Sequence, residues 1–472
     1  MALKYSDIDV NVLLGTITLH NVLLKIKDKE AQQFHSYLNT ESLQVVGIGY
    51  WDLLMNETLA IQKVVLTNPT FNNYPYKHIV SKKTQKNSQE KGLKLLSIEE
   101  LAIINGRLNV MKKGQDSIKI ALPSCDFSFF GSNMELQSED RAITYDHYVL
   151  KATKVILNNN DYSIIKIDDL STNEGKLMIT DFQIIPKYSK TELSKHLKKE
   201  RDYINLKIPQ INIEKPVFDW NKKRFGISVK WAQIVKPNLE IYRDKLIADD
   251  LTVKPLYSES LRNLTFDLYI NRIEIKKGYI SYAELVDPKA KAGKLFFDEV
   301  DASIYQLSTF KSTKKTEIKV KSKLMGQAPL TLNWSFDINN KSDEFLVNGS
   351  VNSLDAKVLN PFFKPNLNAL AEGTLKQMYF NFQGNNHDSK GIIKMKYEDF
   401  NFKILRKDSN KINKFLTAIG SLFIKEDSKE NPEDFRLGEI QTEREPTKSF
   451  FNYLWINVKS GIISTLTGDG KK

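Results

Sequence analysis

Along most of this chain apolar and polar residues alternate singly, the spacing of strands that turn one face to water. "LSIEELAIINGRLNVMKK" sets Leu101 and Ile103 before an Asn-Gly step and Leu108 and Val110 after it. "LYINRIEIKKGYISYAEL" repeats the arrangement with Ile273 and Ile275, then Ile280 and Tyr282. Each reads as two half-buried strands joined by a tight corner. "IKVKSKLMG", "APLTLNWSFDINN" and "DEFLVNGSVNSL" continue the series from Ile318. Strands adjacent in sequence are usually adjacent in a sheet, so the pattern predicts a mainly β fold, a long antiparallel meander.

The corner recurs as an apolar residue, two residues, Gly or Pro, one residue and another apolar residue. Copies are "LTNPTF" from Leu66, "IINGRL" from Ile103, "IEKPVF" from Ile213 to Phe218, "IVKPNL" from Ile234 and "IKKGYI" from Ile275. Looser copies are "VLLGTI" from Val12, "LAEGTL" from Leu370 and "TNEGKL" from Thr172. Gly permits positive φ or a bulge, and Pro is tolerated where no ladder donor is needed, so these are places where the meander turns or bends.

Helices are expected to be few. Trp51 to Leu54 form a short turn, and "SKTELSKHLKKERD" opens with Ser189 three residues before Glu192, a capping-box spacing, with Leu193 and Leu197 on one side. "KINKFLTAIGSLF" and "KSFFNYLWINVKSGIISTL" have helical apolar spacing, the second through Phe451, Leu454, Val458 and Ile462. Charged loops are expected at Lys82 to Gly92 and from Lys425. The resulting division is a β segment over 1–187, a helical connector over 188–203, a second β segment over 204–400 and C-terminal strand and helices over 401–472.

Composition adds limits. With 472 residues, 41% apolar, the chain can bury a sizeable core. Its net charge of +12 suits an anionic membrane surface, a nucleic acid or an anionic head group, but both signs alternate along the strands as on any solvated sheet face. The lone Cys125 cannot form an internal disulfide. No apolar run reaches the length of a membrane-spanning helix, and the N-terminal residues read as strand rather than signal peptide.

Chemistry is sparse. His20, His35, His78, His147, His196 and His387 are scattered without metal-ligand spacing, and no nucleophile elbow, P-loop or dinucleotide fingerprint occurs. The pairs Asp168 with Asp169 and Asp249 with Asp250 sit in strand-like segments that point neighbours to opposite faces. No catalytic set, metal or cofactor is therefore expected. Phe218 and Trp220 before Lys222, Lys223 and Arg224 could stack on bases, but they read more simply as a turn between strands, and no nucleic-acid partner is expected.

The segment "SLDAKVLNPFFKPNLNALAEGTLKQMYFNFQGNNHDSKGIIKMKYEDFNFKIL", Ser353 to Leu405, resembles the C-terminal region of the AsmA-like proteins of Gram-negative envelopes. The matching features are Leu359 to Pro361, the Gly-begun strand Gly373 to Leu375, the aromatic strand Tyr379 to Gly384, and Gly391 to Glu398. "KSFFNYLWINVKSGI" resembles the family's terminal helix, and "GYWDLLMNETLAIQKVVLTNPTF" its N-terminal block. The resemblance covers most of the chain in short pieces. AsmA-like proteins are similar to the TamB and YhdP proteins and belong with the repeating β-groove, bridge-like lipid-transfer proteins. The resemblance thus implies a long curved sheet with an apolar groove, of roughly twenty-five strands. It also implies a periplasmic protein held at the inner membrane by an N-terminal anchor, expected before Leu3 and absent from these residues.

In such a groove acyl chains lie along an apolar stripe, each buried methylene contributing about 0.8 kcal/mol. The residues nominated for it are Ile103, Leu108, Val110, Ile213, Phe218, Ile273, Ile275, Ile280 and Tyr282. The expected function is binding and conducting phospholipids between inner and outer membranes in support of envelope biogenesis. The alternative is an outer-membrane assembly scaffold that binds envelope proteins through sheet edges. The alternative to the groove itself is a closed core, in which Ile275→Asp or Ile280→Asp would unfold the protein instead of blocking lipid.

Overall fold

The computed structural model describes residues 1–27, 34–75, 93–115, 117–136, 143–219, 224–310, 314–405, 425–429 and 431–468. The expected loop at 82–92, the expected helix at 411–423, His78, Trp220, Lys222 and Lys223 lie outside them.

Among the described residues twenty-five strands hydrogen-bond in one sheet. They begin with β1 (Ala2–Lys4), β2 (Asp7–Asn11), β3 (Thr16–Lys27), β4 (Phe34–Ile48), β5 (Thr58–Thr67), β6 (Thr70–Asn73), β7 (Leu95–Met111) and β8 (Ile118–Glu135). Next come β9 (Ile143–Thr144), β10 (His147–Leu157), β11 (Ser163–Asn173), β12 (Lys176–Pro186), β13 (Tyr203–Glu214), β14 (Val217–Asp219), β15 (Gly226–Val229), β16 (Trp231–Val235) and β17 (Asn238–Asp244). The last are β18 (Asp267–Leu285), β19 (Gly293–Ser308), β20 (Thr316–Leu324), β21 (Ala328–Phe336), β22 (Phe345–Asp355), β23 (Ala369–Gly384), β24 (Asp388–Ile404) and β25 (Arg436–Glu443). The described α-helices are α1 (Tyr50–Asn56), α2 (Lys190–His196), α3 (Tyr257–Arg262), α4 (Asn360–Leu367) and α5 (Phe450–Thr467). Helix α2 carries the expected capping box: the Ser189 hydroxyl accepts from the Glu192 amide, and the Glu192 carboxylate accepts from the Ser189 amide.

The chain divides into two compact units. Unit 1 holds Met1–Lys187 and Gln210–Ser228; unit 2 holds Tyr188–Pro209 and Val229–Lys472. The division therefore falls inside β13, and the residues after α4 belong to unit 2 with the strands before them.

Of the two readings their sequences offered, turns or bends, the corners are bends. β7 and β18 each run uninterrupted through their Asn-Gly and Lys-Gly steps. In all five strict copies the residue before Gly or Pro takes the left-handed conformation: Asn68, Asn105, Lys215, Lys236 and Lys277, at φ between 48° and 53°. One such residue in an extended chain bends the strand without ending it. β5 and β6 show this directly: both pair antiparallel with β4 and parallel with β7. They form one strand line broken only at Asn68–Pro69, where a residue without an N–H costs no ladder bond.

Among the described residues a Pro bulge flanked by a parallel strand occurs once in each unit, and it introduces the pairings that depart from a pure antiparallel meander. In unit 1 the Asn68 amide donates to Ile104 O (2.9 Å), Arg107 N–H to Pro69 O (2.7 Å) and Asn105 N–H to Asp126 Oδ1 (2.7 Å). In unit 2 β16 and β17 run parallel to β18. There Lys236 N–H donates to Lys276 O (2.8 Å), Tyr279 N–H to Pro237 O (2.8 Å) and Lys277 N–H to Asp301 Oδ1 (2.9 Å). A Pro bulge thus lies beside a Gly bulge, which an aspartate carboxylate secures from the next strand. Lys277 is exposed, so a left-handed backbone is all its position demands. Lys277→Gly should therefore raise the stability of unit 2 by about 0.5–1 kcal/mol, measured by urea unfolding.

The densest core lies in unit 2, where α3, α4 and α5 cover the sheet. Phe345, Val347, Phe382, Ile393 and Met395 are buried with Phe363 of α4 and with Phe450, Tyr453 and Leu466 of α5. Close approach of α5 to β25 explains two glycines. A Cβ on Gly438 would lie 2.6 Å from Gly461 O, and one on Gly461 would lie 2.7 Å from the Ile393 side chain.

Candidate functional site: the apolar face of the sheet

Residues directly opposite one another on paired strands share a face, and the face alternates along each strand. In unit 1 this traces unbroken apolar rows. Ile17, Val45, Val64, Leu101, Phe129 and Tyr148 form one across β3, β4, β5, β7, β8 and β10. Leu19, Leu43, Leu66, Ile103, Phe127 and Leu150 form the next. Beyond the bulges Leu24, Leu38, Phe71, Leu108 and Leu122 form a third.

The bulges keep these rows on one face. Ile103 opposes Phe127 and Gly106 opposes Cys125, three residues against two; Leu108 then opposes Leu122, two against three. Each extra residue cancels a change of parity. Ile103, Leu108 and Val110 therefore share a face although their numbers are odd and then even, and a regular strand would have separated them. The opposite face carries both charge, as in the Lys63–Glu100 ion pair at 2.8 Å, and the buried Ile61, Val65 and Ala102.

These row residues are half-buried, packed by neighbours in the sheet. Helix α1 is the only described helix of unit 1 and packs against β5. At one end an aromatic group rises from the same face. Phe127 and Phe129 meet edge-on at 4.4 Å, Phe129 lies 5.2 Å from Tyr145, and Tyr148 lies 5.6 Å from Phe218 of β14. The Tyr145 hydroxyl accepts from Phe218 N–H (2.9 Å) and donates to Phe218 O (3.0 Å). Burial, with Tyr145 beside it, pushes the Tyr148 hydroxyl up to about 12. Burial and then Asp126 push the Cys125 thiol to about 11, so it stays protonated and a poor nucleophile at neutral pH.

Unit 2 repeats the face and then closes it. Ile234, Ile275, Ala302, Val320, Leu332, Gly349, Phe380 and Ile393 form one row across β16 and β18 through β24. Ile275 is half-buried, whereas Ile393 at the far end is fully buried beneath α5. Around the Lys277–Gly278 bulge, Ile273, Ile275, Ile280 and Tyr282 share this face, opposite Ile304, Ala302, Phe297 and Leu295. The Tyr282 hydroxyl donates to Glu284 at 3.0 Å, and burial, followed by that carboxylate, raises its pKa.

Seven of the nine nominated residues thus fall into two groups on apolar faces, one per unit. Ile213 is half-buried near the end of β13, and Phe218 packs against Tyr148. The sequence reading passed over Phe127, Phe129, Tyr145 and Tyr148; the alternation in "CDFSF" was the available signal for the first two. Asp249 and Asp250 lie in a loop rather than a strand, each paired with lysine: Asp249 with Lys448 at 3.1 Å, Asp250 with Lys199 at 2.7 Å. Among the described residues no group of three His, Cys, Asp or Glu side chains could hold a metal ion, and no helix is long and apolar enough to cross a membrane. No protein-family model and no curated protein matches the chain.

Proposed function

We propose that the chain binds acyl-chain lipids, phospholipids in the first place, along the apolar face of its sheet and conducts them, as an AsmA-like protein of the periplasm held at the inner membrane would. The observation that carries this reading is the set of half-buried apolar rows in unit 1, held on one face across the Asn105–Gly106 bulge of β7. A face that served only as a helix-covered core would resemble the C-terminal part of unit 2, where the same kind of row is fully buried. Lipid contact along such rows is directionless, so no fixed polar site is needed to hold a chain. Purified protein extracted with organic solvent should release phospholipid detectable by mass spectrometry, and photo-crosslinkers at Ile103 and Ile275 should form lipid adducts. Protein free of lipid and without adducts at either position would sink the reading.

One observation favours the scaffold reading as a second. β2 pairs with β3 at one end of the sheet, and all its residues are exposed, including Ile8 and Val10. An uncovered apolar edge can accept a partner's strand. Retained strand-mediated binding of an envelope protein by lipid-free chain would favour it.

A further inference from the structure

Among the described residues the first strand line of unit 1, β1 with β2, pairs on one side only. Its partner is β3, from Ala2 opposite Lys25 to Asn11 opposite Thr16, and every residue of both strands is exposed. Two hydrogen bonds show which amides point away from β3. Ser6 N–H donates inward to His20 O at 2.9 Å, so the amide of Tyr5 points out of the sheet. Ile8 N–H is not given to β3 but to its neighbour's carboxylate, Asp7 Oδ1, at 2.8 Å. By alternation Leu3 and Val10 point their amides outward too. Leu3, Ile8 and Val10 oppose Leu24, Leu19 and Ile17, so their side chains lie on the apolar face, and Tyr5, two residues from Leu3, shares it. The last strand, β25 of unit 2, is not open in this way: its Glu439 N–H donates to Ser464 Oγ (2.9 Å) and its Gln441 O accepts from Ser460 Oγ (3.2 Å), both on α5.

This free line is complementary to itself. A second copy laid antiparallel beside it, about a twofold axis between Ser6 and Asp7, pairs Tyr5 with Ile8 and Leu3 with Val10, each twice. These are the four residues whose amides point outward, so the ladder bonds fall in register and the apolar side chains meet. The same register sets Lys4 opposite Asp9, also twice. Lys4 has no ion pair among the described residues, and Asp9 contacts the exposed His20 at 2.8 Å. Asp7, which must release the Ile8 amide, comes to lie opposite Ser6 of the second copy. An axis through Asp9 would also match outward amides, Ile8 with Val10, but it would oppose the two Asp9 carboxylates, and like charges directly opposite destabilise a strand pair. A twofold axis normal to the sheet keeps both apolar faces on one side. The row that starts at Ile17 would then run through Val10 into Leu3 and Leu24 of the second copy.

We propose that two copies of this chain join through β1 and β2 in this register, making one continuous sheet of their first units. The proposal goes beyond lipid binding along the sheet and stands on the edge alone; it gives to a second copy the edge that the scaffold reading gives to an envelope protein. Sedimentation velocity of the chain should show a dimer. Ile8→Pro removes an outward N–H without taking a bond from β3, and should leave a monomer. Lys4→Glu or Asp9→Lys alone sets like charges opposite each other twice and should raise the dimer dissociation constant on the order of tenfold. Lys4→Glu with Asp9→Lys restores opposite charges and should return the constant to the parent's. All three side chains are exposed at an edge, so the variants should melt as the parent does. A monomeric parent, a dimer that Ile8→Pro leaves intact, or a double reversal no tighter than the single ones would overturn the proposal. A monomeric parent that takes up an envelope protein's strand at this edge would overturn it in favour of the scaffold reading. Phospholipid in extracts of monomeric Ile8→Pro would leave the reading of the sheet face standing on its own, and a lipid-free dimer would sink that reading and leave this one.

Discussion

Ile393→Asp should unfold unit 2, whereas Ile275→Asp, on the same row of the same face, should leave a folded protein that no longer takes up lipid. Ile393 is 0% exposed, and its side chain packs under Gly461 of α5. A carboxylate there would lie opposite Phe380 and Gly438 and against α5, out of reach of solvent. Burying an unpaired polar group at such a site costs about 4 kcal/mol or more, a large share of the stability of an ordinary domain. Ile275 is half-buried between Ile234 and Ala302, so water can reach a carboxylate at that position when no lipid is bound. The cost to folding there should stay near 1 kcal/mol, while a charge set among acyl chains should abolish the photo-adduct at a nearby position such as Ile280. Urea unfolding followed by tryptophan fluorescence, with lipid extraction from each variant, separates the outcomes. Equal destabilisation by both substitutions would mean that the face is closed along its whole length.

The contrast between these isoleucines also shows how far the fold was legible. Period-two alternation was enough to predict strands at β7, β18 and β20 to β22, because a one-sided sheet writes its burial directly into the sequence. The Gly and Pro steps were visible too, as turns or bends, but not which of the two each would be. A bulge and a hairpin turn both ask for a left-handed residue, and only the neighbouring strand decides between them. At Asn105 that decision is made by Asp126, which receives its amide; at Lys277 it is made by Asp301. Such partners are distant in sequence, so no local pattern could have announced them. The same holds for the closing of the face in unit 2, since Ile275 and Ile393 sit in equally alternating strands and differ only in whether a helix comes back over them. Both Phe127 and Phe129 were legible as alternating apolar positions, but their association with Phe218 depends on a long-range return of the chain.

Asp343→Ala should destabilise unit 2 by about 3–5 kcal/mol through a network that no sequence pattern marks. Asp343 lies in the turn between β21 and β22 and is 2% exposed. Its Oδ1 accepts from Ser258 Oγ at 2.5 Å and from Arg262 Nη2 at 2.7 Å, both on α3, and its Oδ2 accepts from Asn386 Nδ2 at 2.7 Å in the turn before β24. Arg262 also donates to Asn340 O at 3.1 Å. One carboxylate thus holds α3 and two turns in a fixed relation, and α3 in turn sets the path of the chain into β18. Truncation to Ala leaves three donors facing a cavity, one of them a guanidinium whose countercharge has gone. It also places Ala in a left-handed backbone, φ 59°, which Asp tolerates better. Asp343→Asn separates these contributions. Asn is equally at ease in that conformation and keeps one oxygen, but it turns an amide donor toward donors and removes the charge that balances Arg262. Its loss should fall short of the Ala variant's by about the 1 kcal/mol of backbone strain and one retained hydrogen bond. Urea midpoints for the two variants measure both quantities. A loss below about 1 kcal/mol for Asp343→Ala would show that packing of α3 against Trp334 and Phe450, rather than this carboxylate, fixes the helix.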